Sequence, residues 1–325
     1  MNKIPAIRIA QPGGSKTLTL QEVDSPTPAA DEVLIQHGAI GVNFIDTYHR
    51  SGLYPLEMPS GIGLEAAGTI AAIGSEVDGW AIGDRVAYCS GPIGAYAAEH
   101  CVPADRCVRL PDTIPFDAAA AMLLKGLTVQ YLIRQIYPVT EKDTVLFHTG
   151  AGGVGQIALQ WLSHLGATSI TTVSTTEKAE IAKSRGASHV ILSKDEDITE
   201  RVKAIAPSGL PVVFDGVGKD TFISSLDCLQ PKGLLVSFGN ASGPVRDVDL
   251  GILAAKGSLF VTRPTLFHYV ATRDALQAAA DDLFATIDAG GIALPEPTKL
   301  PLVSAAEAHR ALEARETTGS LVLIP

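Results

Sequence analysis

Apolar residues in the first third of the chain fall in short runs, at 33–39, 68–73, 85–88 and 96–103, with glycine and proline between them. Closely spaced runs of this kind, with no helical period between them, predict a mostly β, barrel-like domain. At Asp117 the period changes, and Ala121, Leu124, Leu127, Tyr131 and Leu132 recur at helical spacing. That pattern predicts a helix interrupted near Gly126. From Thr144 strand-like and helical stretches alternate, with strands expected at 145–148, 170–173, 189–192, 212–214, 234–238 and 259–261. Six strands joined by helical crossovers predict an α/β fold, a doubly wound parallel sheet with helices on both faces. After Arg273 two amphipathic helical stretches lead to an apolar run at 320–324, expected to return to the first domain as a strand. The first domain is therefore expected to be discontinuous, 1–126 with 266–325, around a parallel-sheet domain at 127–265.

Composition narrows the function classes. The chain has 325 residues, 46% hydrophobic and 18% charged, enough apolar content for two cored domains. A formal net charge of -10 argues against a protein whose main partner is nucleic acid, since phosphate backbones are bound by surplus Lys and Arg. Cys89, Cys101, Cys107 and Cys228 form no close pairs, so neither a disulfide framework nor a thiolate zinc lobe is expected. The N-terminal stretch 1–14 has no apolar core followed by a small-residue cleavage site, and the apolar run 118–124 stops at Lys125, short of the roughly 20 residues of a membrane span. A soluble cytoplasmic protein is expected. His37, His49, His148 and His268 show no metal spacing and read as structural or surface residues.

The sharpest chemical signal is the run Val145-Leu146-Phe147-His148-Thr149-Gly150-Ala151-Gly152-Gly153-Val154-Gly155, an apolar strand entering a glycine loop and then a helical segment. Gly150 would permit the tight turn, Gly152 would let backbone approach a pyrophosphate, and Gly155 would let the helix pack closely on the strand. The helix N-terminus then faces the anion. About 20 residues on, an NAD site would carry a carboxylate for the ribose hydroxyl. This chain has Val173-Ser174-Thr175-Thr176 instead. A carboxylate there would repel a 2′-phosphate by about 4 kcal/mol per unit charge at 4 Å, whereas Ser174, Thr175 and Lys178 can bind it, so the expected cofactor is NADPH.

Further motifs carry a family resemblance. Gly63-Leu64-Glu65-Ala66-Ala67-Gly68 resembles the zinc alcohol dehydrogenase signature of the medium-chain dehydrogenase/reductase superfamily, with Leu64 where a zinc-binding histidine would stand. The stretch 41–46 replaces the cysteine that would supply the first ligand, and leucine has no lone pair for a metal, so no metal site is expected. The segment 43–54, Asn-Phe-Ile-Asp-Thr-Tyr-His-Arg-Ser-Gly-Leu-Tyr, is very similar to that of zinc-free members, the quinone oxidoreductases and zeta-crystallin-like proteins. The segments 83–86, 124–128, 236–240 and 261–264 are similar too, so the resemblance spans nearly the whole chain.

The resemblance implies a GroES-like catalytic domain and a Rossmann domain. It implies that Asn43, Asp46 and Tyr48 line the nicotinamide pocket with Tyr54 near its mouth, Tyr48 placed to hydrogen-bond a quinone oxygen. It further implies that Phe238, Asn240 and Arg263 hold the nicotinamide side of the cofactor, Gly152, Gly153 and Val154 its pyrophosphate, and that Lys125, Gly126 and Thr128 sit near the interdomain cleft. Related bacterial enzymes tend to carry a tyrosine where this chain has Ser193. The activity implied is NADPH-dependent, zinc-independent reduction of a quinone, by hydride or electron transfer. The alternatives are an NADPH-dependent alkenal or enone reductase and a nucleotide-binding structural or RNA-associated protein. A homodimer joined through the last sheet strand, around 257–262, is also expected.

Overall fold

The computed structural model describes residues 2–314 and 316–325; Met1 of the N-terminal stretch lies outside them. In chain order the elements are β1 (Lys3–Arg8), β2 (Thr19–Asp24), β3 (Glu32–Val42), α1 (Phe44–Ser51), β4 (Ala66–Ile73), β5 (Arg85–Tyr88), β6 (Glu99–Pro103), β7 (Val108–Arg109) and α2 (Phe116–Gln130). There follow β8 (Thr144–His148), α3 (Gly153–His164), β9 (Thr168–Val173), α4 (Thr176–Ser184), β10 (His189–Leu192), α5 (Ile198–Ile205), β11 (Leu210–Asp215), α6 (Phe222–Asp227) and β12 (Leu229–Ser237). The chain ends with α7 (Gly251–Ala255), β13 (Phe260–Thr262), α8 (Leu266–Tyr269), α9 (Arg273–Asp288), β14 (Thr298–Pro301), α10 (Ala305–Glu313) and β15 (Leu321–Ile324).

These elements form two compact units, Met1–Lys125 with Val270–Ala280 and Leu294–Pro325, and Gly126–Tyr269 with Asp281–Ala293. The division departs from the expected bounds at Gly126, over 266–269 and, most of all, over 281–293. Two hydrogen bonds tie that segment into the second unit: Gln130 Nε2 donates to Asp282 at 3.1 Å, and the Ala293 N–H donates to Gln160 Oε1 at 3.0 Å.

In the first unit β3 organises the sheet. Its first half pairs with β6, its second half with β15, and β4 follows it along most of its length. Register shifts at Leu34/Ile35 and His37/Ala39 let one strand serve three partners, because a bulge bends a strand and increases its twist. The sheet order is β14-β15-β3-β4-β5-β7, with β1 and β2 forming a separate antiparallel pair. The return of the C-terminal strand, expected from its apolar run, is the β15 to β3 pairing. Ile7, Ile35, Ile40, Ile70, Tyr88 and Tyr96 are among the buried side chains of this unit's core. The expected strand at 96–103 begins only at Glu99: Tyr96 leaves the ladder, its N–H bonded to Ile62 O, and turns its ring inward.

The second unit is a six-stranded sheet in the order β10-β9-β8-β11-β12-β13, every pairing parallel. This is the doubly wound order, with the strand direction of growth reversing between β8 and β11. Strands covered on both faces read as continuous apolar runs, as in Val145–Phe147 and Val212–Phe214, all fully buried. Phe147 packs against Phe214 with ring centroids 5.5 Å apart and against Phe238 at 5.6 Å.

The break expected near Gly126 does not occur there. α2 runs through Gly126 to Gln130 and then widens into a π-helical turn at Tyr131–Ile136. The glycine serves close packing rather than a break, since a Cβ there would lie 2.5 Å from Leu283 Cδ2. Together the two segments make 21 residues long and apolar enough to cross a membrane, but 83% of the window is buried inside the protein, as a core helix would be. Replacing Phe147 with Ala should remove about 3–5 kcal/mol of stability through transfer and cavity terms, read as a lowered urea midpoint for the second unit; a midpoint unchanged from the parent would show that the three-ring cluster is not a stabilising core.

Candidate active site

In the first unit the candidate residues converge where β3 ends. Asn43 caps α1 in extended conformation (φ -131, ψ 155), and its N–H donates to Asp46 Oδ2 at 2.8 Å, the back-bond of a capping box. The Asn43 amide donates in turn to Glu65 Oε2 at 2.7 Å, and Glu65 Oε1 accepts the Leu124 N–H at 2.7 Å. Lys125 Nζ lies 3.8 Å from Glu65 Oε2, an ion pair too long for a hydrogen bond. Gly41 makes room for this arrangement: a Cβ there would stand 2.3 Å from both Ala120 O and Glu65 Oε2.

A second chain of bonds reaches Asp46 from the opposite side. Tyr96 donates its hydroxyl proton to Asp46 Oδ2 at 3.0 Å. Its oxygen therefore accepts from His309 Nε2 at 3.0 Å, and His309 Nδ1 accepts from Arg50 Nη1 at 3.2 Å. Arg50, 2% exposed, also donates to both oxygens of Glu313. The three donors of this line, Arg50, His309 and Tyr96, point the same way, toward the Asp46 carboxylate. Even so, burial raises the Asp46 carboxyl to about 7, against the opposing hydrogen bonds from Asn43 and Tyr96. Burial also pushes the Glu65 carboxyl up and the Lys125 ammonium down, each drawn back by the other's charge. His309 is lowered to about 3 by burial and by Arg50, so it is a neutral link.

Tyr48 and Tyr54 form an aromatic patch on α1 and the turn after it. Their rings meet edge to face at 5.3 Å, Phe44 lies 6.4 Å from Tyr48, and the Tyr54 N–H bonds Tyr48 O at 3.1 Å. Both tyrosines are half-buried.

In the second unit the glycine loop joins β8 to α3. Thr149, not Gly150, takes the left-handed conformation (φ 62). Gly150 is constrained by space instead, for a Cβ would sit 2.5 Å from Thr171 Oγ1 on β9. Gly155 is where helix and loop touch most closely, with a Cβ position 2.2 Å from Thr149 O. Gly152 is the N-cap of α3 and supplies no side-chain cap, so the first-turn N–H groups at Gly153 and Val154 remain available to an anion. At the end of β9 Thr175 caps α4, its hydroxyl accepting the Lys178 N–H at 3.3 Å, while Ser174 lies beside it and Glu177 is exposed. Ser193 closes the end of β10 on β9, with N–H and hydroxyl both bonded to Val173 O.

Past the end of β12, Phe238 rests on Phe147, and its N–H bonds Asp215 O at 2.8 Å. Arg263 Nη1 donates to Ser237 O at 3.1 Å, and Nη2 lies 3.1 Å from the Asn240 amide oxygen when that amide is oriented to satisfy both its groups. Glycine loop, β9 end and this cluster all lie at the carboxyl edge of the parallel sheet, where such folds bind ligands. Thr128 is buried within α2.

Sequence reasoning passed over Glu65, Tyr96, Arg50 and His309. Glu65 had a signal, being a lone carboxylate in the apolar run Ile62–Ala67; Tyr96 and His309 had none, since 213 residues separate partners that meet only in the fold. Among the described residues no group of three or more His, Cys, Asp or Glu is placed to hold a metal.

Family models match two stretches of the chain, the alcohol dehydrogenase GroES-like domain at residues 29–112 and zinc-binding dehydrogenase at 153–283. The chain is 51% identical to the quinone oxidoreductase of Pseudomonas aeruginosa over 98% of its own length and 99% of the relative's. It is 41% identical to the 2-haloacrylate reductase of a Burkholderia species, with 99% of each chain covered. A solved structure of the Escherichia coli quinone oxidoreductase complexed with NADPH superposes with a TM-score of 0.97 at 48% identity, covering 99% of this chain and 100% of that one. With its GroES-like first unit, its doubly wound second unit and near-complete coverage at this identity, the chain belongs to the quinone oxidoreductases of the medium-chain dehydrogenase/reductase superfamily.

Proposed function

We propose that this protein reduces quinones with NADPH, independently of zinc. The observation that carries the cofactor choice is the end of β9, where Ser174, Thr175 and the half-buried Lys178 stand in place of a ribose-binding carboxylate. The glycine loop fits a dinucleotide: its uncapped helix N-terminus offers N–H groups, and Gly152 leaves space for a pyrophosphate. NADPH when bound supplies a hydride to an electron-poor acceptor. Gly150, Gly152, Gly153, Val154 and Gly155 would then bind the pyrophosphate, and Ser174, Thr175 and Lys178 the 2′-phosphate. Phe238, Asn240 and Arg263 would orient the nicotinamide side, and Lys125 and Thr128 are further candidates for cofactor contact. Asn43 and Asp46 would set the polar wall of the acceptor site, and Tyr48 and Tyr54 its aromatic surface, with the Tyr48 hydroxyl donating to the acceptor oxygen.

The likeness to a 2-haloacrylate reductase favours a second reading, reduction of a carbon–carbon double bond conjugated to a carbonyl. It differs in where the hydride lands and in needing a proton at the adjacent carbon. Turnover of a small quinone and of an enal, side by side with the same enzyme, separates the two.

We also place the protein in the cytoplasm as a homodimer. β13 lies at the sheet edge with Phe260 61% and Val261 39% exposed, an apolar edge that pairing with a second copy would cover.

Three outcomes are expected. Chelator-treated protein should oxidise NADPH faster than NADH with a quinone acceptor, and Lys178→Glu should raise the KM for NADPH by about tenfold or more while sparing NADH; equal effects on both would remove Lys178 from the 2′-phosphate site. Tyr48→Phe should lower kcat/KM for quinone by about tenfold, and unaltered kinetics would mean that its hydroxyl does not touch the acceptor. Phe260→Asp should give a monomer in light scattering at micromolar concentration; an unchanged dimer mass would place the contact elsewhere.

A further inference from the structure

Four buried side chains in the second unit form one hydrogen-bonded line beneath the glycine loop. His148, the last residue of β8, is fully buried, as is Ser225 of α6; Thr172 on β9 is 4% exposed and Asp215 at the end of β11 is 1% exposed. The direction of every bond in the line is fixed. Ser225 donates its only proton to Asp215 Oδ2 at 2.8 Å, so at 3.0 Å it accepts from His148 Nε2. His148 Nδ1 then carries no proton and accepts from the Thr172 hydroxyl at 2.9 Å. The Thr172 oxygen in turn accepts the Thr149 N–H at 3.3 Å. Burial lowers the imidazole pKa, in keeping with a neutral ring that donates from one nitrogen and accepts at the other.

The two ends of this line hold different loops. At one end is Thr149, the left-handed residue that turns the chain into the glycine loop. At the other, Asp215 Oδ1 accepts the N–H groups of Val217 and Gly218 at 2.8 and 3.0 Å. That loop is laced to the segment after β12: Phe238 N–H bonds Asp215 O, Ala241 N–H bonds Gly216 O and Ser242 N–H bonds Val217 O. The segment so held carries Phe238 and Asn240. A line of directed bonds therefore runs from the turn under the glycine loop to the backbone that supports Phe238 and Asn240.

We propose that His148 is a positioning residue for the cofactor, fixing the glycine loop and the Phe238–Asn240 segment relative to each other so that one dinucleotide can engage both. The proposal rests on the NADPH reading above. None of the four side chains need touch the cofactor. A line of this kind fails as a whole when any link is removed, because each remaining member loses the partner that set its direction.

The test uses the full-length protein and two mild variants, Ser225→Ala and Thr172→Val, with their double and with His148→Gln and His148→Leu. NADPH binding is titrated by fluorescence at a temperature where circular dichroism shows each variant folded. The adenine-end fragment 2′,5′-ADP, which has no nicotinamide to orient, is titrated in parallel. Each single change should weaken NADPH by about tenfold, and the double by no more than the weaker-binding single, because one break already uncouples the two loops. The affinity for 2′,5′-ADP should stay within about twofold of the parent. His148→Gln, which keeps a donor and an acceptor on one amide, should recover part of the affinity lost in His148→Leu.

Multiplicative losses in the double variant, equal losses for fragment and whole cofactor, or unchanged NADPH binding in folded Ser225→Ala would each overturn the proposal. If the parent protein itself fails to bind NADPH, the cofactor reading falls first, and that result is distinct from the other three.

Discussion

The buried carboxylate of Glu65 is the constraint around which the first unit's site is arranged. A charge taken out of water is tolerated only when its lone pairs and its charge are met. Glu65 meets that demand with the Asn43 amide, the Leu124 N–H and the ammonium of Lys125, drawn from the start of α1 and from α2. Satisfying one carboxylate thereby fixes where two helices stand against β3 and β4. The same demand explains why residue 41 carries no side chain, for the Glu65 oxygen occupies the space a Cβ would need. The helix start that Asn43 defines then fixes Asp46, and with it the end of the bond line through Tyr96, His309 and Arg50.

The second unit solves a similar problem with Asp215. Its two oxygens take two backbone N–H groups and the hydroxyls of Thr221 and Ser225, four donors and no cation. The difference in chemistry matches the difference in task. A carboxylate satisfied wholly by neutral donors holds loops in place with no lysine beside it. One satisfied partly by a lysine at 3.8 Å leaves two ionisable groups whose proton affinities depend on each other.

Sequence pattern was most informative where one physical rule governed a whole segment. The parallel sheet was legible because strands buried on both faces must be apolar throughout, and β10 was expected at 189–192, where it stands. The glycine loop was legible because Gly155 touches backbone, and backbone contact at that distance admits no other residue. Patterns that admit two causes misled. Gly126 reads as a helix break, yet the missing side chain accommodates Leu283 inside a continuous helix. Tyr96 reads as the start of a strand, but its ring is committed to Asp46 and His309, partners 50 and 213 residues away. His148 reads as a structural residue and is a buried one, but nothing near it in sequence hints at its partner Ser225 or at Asp215 beyond.

Unsatisfied groups distinguish the two carboxylate centres further. Among the described residues Asp46 Oδ1 and Lys125 Nζ are buried atoms with no hydrogen-bond partner, while every polar side-chain atom of the His148 line is paired. A buried polar atom left unpaired costs about 1–3 kcal/mol, more when it is charged. Replacing one partner of such a buried pair leaves the other charge uncompensated, so the two costs are tied together. Here both atoms belong to one cluster, Asp46 through its bond to the Asn43 N–H and Lys125 through its ion pair with Glu65. Folding stability is given up there by groups whose hydrogen-bonding capacity stays unspent within the first unit, whereas the His148 line spends all of its own.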